Sequence, residues 1–105
     1  MNKWLVLLGT VFITAHSQQS FAWPENICHA LSDGAEGYAQ ERDSHSKTLD
    51  QQYSNNAKGF DDTEKIRFAD YAAWVAYVPM RNKSPEETKT LVYEKCVAGV
   101  LPKKN

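Results

Sequence analysis

Asp61-Asp62-Thr63-Glu64-Lys65-Ile66-Arg67-Phe68-Ala69-Asp70-Tyr71-Ala72-Ala73-Trp74-Val75-Ala76-Tyr77-Val78-Pro79 is the stretch from which the fold is read. Acids stand where the positive end of a helix dipole favours them, ahead of Ile66, Phe68 and Ala69. The second half, Tyr71 to Val78, is apolar nearly all round, which predicts the central and most buried helix of the domain. Pro79 disfavours helical geometry at Val78 and ends the segment.

Working outward, the chain supplies three more helices and no strand pattern. Downstream, Ser84-Pro85-Glu86-Glu87 is a capping box with proline at the first helical position. It opens a helix carrying Thr88, Leu91, Val92, Lys95 and Cys96 on one side, stopped by Gly99 and Pro102. Upstream, Pro24-Glu25 starts a segment in which Ile27, Leu31, Ala35, Tyr38 and Arg42 recur at three- and four-residue steps, with Cys28 on the flank of that stripe. Its small residues Gly34, Ala35, Gly37 and Ala39 weaken the helix intrinsically and imply a close helical neighbour. Between these, Ser44 to Lys47 reads as a polar turn. Ser46 is the expected cap of a shorter helix from Lys47 to Lys58, carrying Leu49, Tyr53 and Ala57 at four-residue steps and closed by Gly59.

The N-terminus is predicted to be a leader. Lys3 precedes the apolar run Trp4 to Ala15, and Ser20-Phe21-Ala22 has the small-x-small form of a cleavage site. Twelve apolar residues span about 18 Å as a helix, too short for the roughly 30 Å of a bilayer core. The expected product is residues 23–105, one helical domain in the periplasm or outside the cell, without stable membrane insertion after cleavage. That domain has 83 residues, with Ile, Leu, Val and Phe at only 13 positions and nine aromatic rings making up part of the deficit. A core so thin calls for a covalent staple. Cys28 and Cys96 are the only cysteines, 68 residues apart, and in an oxidising compartment they are expected to bond to each other. The expectation is therefore an all-α bundle of three to four helices closed by one disulfide.

Several functions are disfavoured by the composition. The net charge is −1, falling to −2 once Lys3 leaves with the leader, and the pI is about 6.3, so no basic field is available for nucleic acid. His29 and Asp33 stand one turn apart, but two ligands do not make a metal site. Asp43-Ser44-His45 has the letters of a hydrolase triad, yet neighbours within one turn cannot hold a triad's geometry. No nucleotide-, metal- or nucleophile-type signature is present, so the expectation is a protein without catalytic activity, cofactor or metal. Tyr53, Phe60, Asp61, Asp62, Met80 and Arg81 lie outside the central apolar run. Their residue types suit an interface, and they are the candidate partner-binding residues.

Cys28, Ala39-Gln40-Glu41-Arg42-Asp43, Trp74-Val75-Ala76-Tyr77, Ser84-Pro85 and Cys96 together resemble a group of small exported proteins of proteobacteria and their prophages, for which no activity is established. The glycine usual after the Arg-Asp pair of that group is Ser44 in this chain. In layout the chain is also similar to the periplasmic acid-stress chaperones, which are small, helical, signal-bearing and closed by one disulfide. Two functions follow as expectations: an immunity- or inhibitor-type module that docks on another protein, and a chaperone that holds unfolded clients when acid switches it on.

Overall fold

Asp62 opens the helix that the apolar run requires. Its Oδ1 accepts the Glu64 N–H at 2.9 Å, and the helix runs over Thr63–Tyr77. In the computed structural model, which describes residues 22–104, this is the third of four helices: α1 (Glu25–Ser44), α2 (Leu49–Gly59), α3 and α4 (Pro85–Ala98). There are no strands among the described residues. The predicted leader lies outside them except for Ala22.

The chain's capping chemistry sets most of the boundaries. At α4, the Ser84 hydroxyl accepts the Glu87 N–H at 3.1 Å while the Glu87 carboxylate accepts the Ser84 N–H at 3.0 Å. This reciprocal pair is the predicted capping box. Gly99 closes α4 in the left-handed conformation, φ 75°. Its N–H and that of Val100 satisfy the Cys96 and Lys95 carbonyls at 3.1 and 2.9 Å. The start of α2 differs from expectation. Thr48, not Ser46, is the cap, because Gln51 lies three residues beyond Thr48 and completes a second capping box, with bonds of 2.7 and 3.2 Å. Gly59 is the last helical residue of α2 rather than a left-handed cap, and the extended backbone of Phe60 ends the helix.

Helix α1 packs against both α4 and α3, and α2 packs on α3. Helices α1 and α3 thus form the interior pair, with Ala72, Ala73, Val75 and Ala76 of the predicted apolar run buried, while Val78 just past the end of α3 is exposed. Small side chains allow the close pairing. A Cβ added to Gly34 would lie 3.7 Å from the Ala72 Cβ, so α1 and α3 approach to van der Waals contact, and Ala35 and Ala39 are fully buried. The core gathers Cys28, Leu31, Ala35, Ala72, Val75, Met80, Val92 and Cys96, ringed by half-buried aromatics. Cys28 and Cys96 are bonded, with Cα atoms 5.6 Å apart, joining the first turns of α1 to the last turn of α4.

Candidate functional site

The six candidate interface residues divide into separate places. Phe60, Asp61 and Asp62 share the α2–α3 turn and are exposed. Tyr53 is half-buried on α2 beneath the Lys104 ammonium, which lies 5.3 Å from its ring centre. Met80 corrects the expectation of exposure. It sits in the core at 5% accessibility, because its N–H reaches back to the Val75 carbonyl at 2.9 Å and folds the post-helix turn inward. Arg81 is exposed at the far end of α3, its guanidinium donating to the Val78 carbonyl at 2.8 Å. Fifteen residues of α3 separate the two ends by about 22 Å, so Phe60 and Arg81 do not share one patch.

Around Phe60 there is a shallow apolar groove of about 390 Å³, floored by Ile27, Ala30, Phe68 and Ala69 and edged by Glu64 and Lys65. It arises where the first turns of α1 and α3 diverge. Ile27 belongs to the stripe predicted to point inward, yet at 36% accessibility it opens onto this groove, as does Phe60 at 41%. The acidic turn that caps α3 follows Phe60 directly in the chain, and Glu64 pairs with Arg67 at 4.0 Å.

Two polar arrangements were not legible as sites. The first is the seam under α2, whose buried residues are the polar Gln52 and Asn56, while Leu49 and Tyr53 are half-buried and Ala57 is exposed. The Gln52 amide donates to Glu41 Oε1 at 2.6 Å and to the Tyr77 hydroxyl oxygen at 3.2 Å, while Tyr77 donates to the Lys47 carbonyl at 2.7 Å. Asn56 donates to Asp70 Oδ1 at 2.9 Å and accepts from the Tyr38 hydroxyl at 3.1 Å. Burial raises the Tyr38 pKa, partly offset by that bond to Asn56. The second arrangement is Arg42, whose guanidinium donates to the Ala76, Met80 and Lys83 carbonyls at 2.6, 3.0 and 2.7 Å. The signal for the seam was a pair of amides at a four-residue spacing. For Arg42 it was a cation on the inward stripe of α1.

The other polar clusters are occupied locally. His29 stacks on Tyr93 at 4.5 Å and faces Glu25, whereas Asp33 pairs with Lys89 at 3.3 Å, so the two residues one turn apart serve different partners. The bond to Asp33 raises the Lys89 pKa. Asp43 pairs with Arg42, which lowers its pKa. Ser44 donates to the Glu41 carbonyl, and His45 Nδ1 lies 3.2 Å from the Arg42 carbonyl, so the Asp-Ser-His letters form a helix terminus. Among the described residues no group of three or more His, Cys, Asp or Glu could hold a metal, and no helix is long and apolar enough to cross a membrane.

The fold and surface define a class: a small four-helix domain stapled by one disulfide, with an open apolar groove beside an acidic turn. Compared with known proteins, the chain matches no family model, no curated protein and no solved structure.

Proposed function

We propose that this is an exported protein-binding module of the immunity or inhibitor type, without catalytic activity, acting in the periplasm or outside the cell. The observation that carries the reading is the exposed Phe60 beside Ile27 and Phe68 in a groove edged by Glu64 and Lys65, with the exposed Asp61 and Asp62 following Phe60 in the chain. An aromatic anchor in an apolar depression with a charged rim is the arrangement that concentrates binding energy at interfaces. Asp61 and Asp62 in the adjoining turn, with Glu64 shared between the groove and Arg67, suit a partner surface that presents an apolar side chain flanked by lysine or arginine. The disulfide holds this surface on a fixed frame, and it suits an oxidising compartment.

The test places a photo-crosslinking residue at position 60, identifies the captured protein from a periplasmic extract at pH 7, and repeats the binding with both components purified. Phe60→Asp and Asp61→Lys should each weaken that purified complex at least tenfold with unchanged melting temperature. The wild-type complex should also weaken with salt. A complex indifferent to both substitutions overturns the reading.

One observation favours a second reading, the acid-switched chaperone. Helix α2 is docked by amides that donate to the Glu41 and Asp70 carboxylates, and protonating these acceptors weakens the bonds. Client binding that appears only near pH 3, with apolar-dye binding and loss of amide protection confined to residues 49–59, would replace the docking module with a chaperone.

A further inference from the structure

A second cavity, of about 480 Å³, lies at the other side of Phe68, between the start of α1, the middle of α3 and the tail after α4. Its walls are Trp23, Tyr71, Leu101 and Pro102, with the Cys96 half of the disulfide at its base and Lys103 and Lys104 at its mouth. The volume falls in the range of small-molecule pockets. The walls are mainly apolar, and their one phenol is already used. The Tyr71 hydroxyl donates to the Pro102 carbonyl, which ties the tail down and forms the pocket's edge. An occupant therefore meets a mainly apolar interior and two cations at the entrance. Neither lysine has a carboxylate partner among the described residues, and Lys104 rests over the Tyr53 ring instead.

We propose that this pocket binds an amphipathic carboxylate, an alkyl chain of medium length with its tail against Trp23, Tyr71 and Leu101 and its anionic head between Lys103 and Lys104. An apolar interior selects for a tail because a buried polar group without a partner is costly. The paired ammonium groups select for a single negative head over a neutral or cationic one. This site is independent of the Phe60 groove, so either assignment can fail alone.

The experiment titrates the purified protein with sodium hexanoate, octanoate and decanoate below their micelle concentrations, following amide and indole resonances by NMR. Expected are shifts centred on Trp23, Tyr71 and Leu101, 1:1 stoichiometry, and affinity rising up to about fourfold per added methylene, the equivalent of roughly 0.8 kcal/mol. Octanoate should bind about fivefold more tightly than octanol, as two exposed ion pairs allow. The double variant Lys103→Glu, Lys104→Glu should abolish that preference, leave octanol binding unchanged and leave the melting temperature unchanged. Shifts centred on Ile27, Phe60 and Phe68 would move the ligand to the other groove and overturn the proposal. Octyltrimethylammonium binding as tightly as octanoate would overturn it too. So would binding confined to phosphatidylglycerol vesicles, with none to the soluble carboxylates, which would make the lysines a membrane contact.

Discussion

Replacing Arg42 tests whether one side chain couples the end of α1 to the end of α3. Its side chain is only 11% exposed and its guanidinium spans carbonyls at Ala76, Met80 and Lys83, a stretch of eight residues that turns from α3 toward the α4 cap. The Ala76 carbonyl lies in the last turn of α3, where carbonyls lose their partners within the helix, so Arg42 acts as a C-terminal cap supplied by another helix. Each hydrogen bond to a charged group contributes about 1.5–3 kcal/mol. Three of them are offset by desolvating the cation and by water reaching the freed carbonyls, which leaves a loss of about 3 kcal/mol for Arg42→Ala. For a domain of this size that corresponds to a fall of roughly 15 °C in melting temperature. Arg42→Lys should recover only part of the loss, because a single ammonium cannot meet carbonyls spread around a planar fork. The control is Asp43→Ala, which removes the exposed partner on the other edge of the guanidinium and should not move the transition. Urea unfolding with the disulfide intact gives all three values. An Arg42→Ala loss below about 0.5 kcal/mol, the size of an ordinary surface substitution, would refute the capping role.

Cys96→Ser opens the 68-residue loop and should lower stability by about 2–4 kcal/mol, read as a shifted urea midpoint; an unchanged midpoint would mean that the bond carries no load. Thr88 is fully buried between α4 and α1 with no partner for its hydroxyl, so Thr88→Val should raise stability by about 1 kcal/mol, and a loss would show that the hydroxyl is satisfied in solution. Burial pushes the Tyr71 phenol up to about 12, from 10.0. The folded protein then holds this proton longer than the unfolded chain, so its stability is intact below about pH 10 and lost as pH rises toward 12. Tyr71→Phe should flatten the alkaline limb of a plot of urea midpoint against pH, and an equally steep limb in that variant would exclude Tyr71 as its cause.

The helices were legible where their determinants are local. Ser84-Pro85-Glu86-Glu87 and Asp62 announce α4 and α3 because a cap is satisfied within three residues of chain, and Pro79 stops α3 for a steric reason equally local. The start of α2 was misplaced because two polar residues, Ser46 and Thr48, compete for the cap. The winner depends on Gln51 returning its side chain to the Thr48 N–H. The order of burial needed more than the sequence of apolar residues. Tyr71 to Val78 announces an interior α3 by hydrophobicity, whereas α1 is interior as well, between α3 and α4, and its Gly34, Ala35 and Ala39 signal this by small size rather than by apolar bulk.

The polar seam was illegible for a deeper reason. Gln52 and Asn56 count as surface residues in any hydrophobic pattern, and only the long-range pairing with Glu41, Tyr77, Tyr38 and Asp70 makes their burial affordable. A domain this poor in aliphatic residues cannot clamp every helix with apolar area, so it attaches α2 by directional bonds and reserves its larger apolar side chains for the α1–α3–α4 core. Apolar area is also left partly open at the edge of that core: Ile27 and Phe60 at one side of Phe68, and at the other Trp23, Tyr71 and Leu101, which pack against the core and line the cavity. In a chain with so few large apolar residues, side chains left at the surface are withheld from stability. That is why the two grooves, and not the polar clusters that satisfy themselves, are where the proposed recognition is placed.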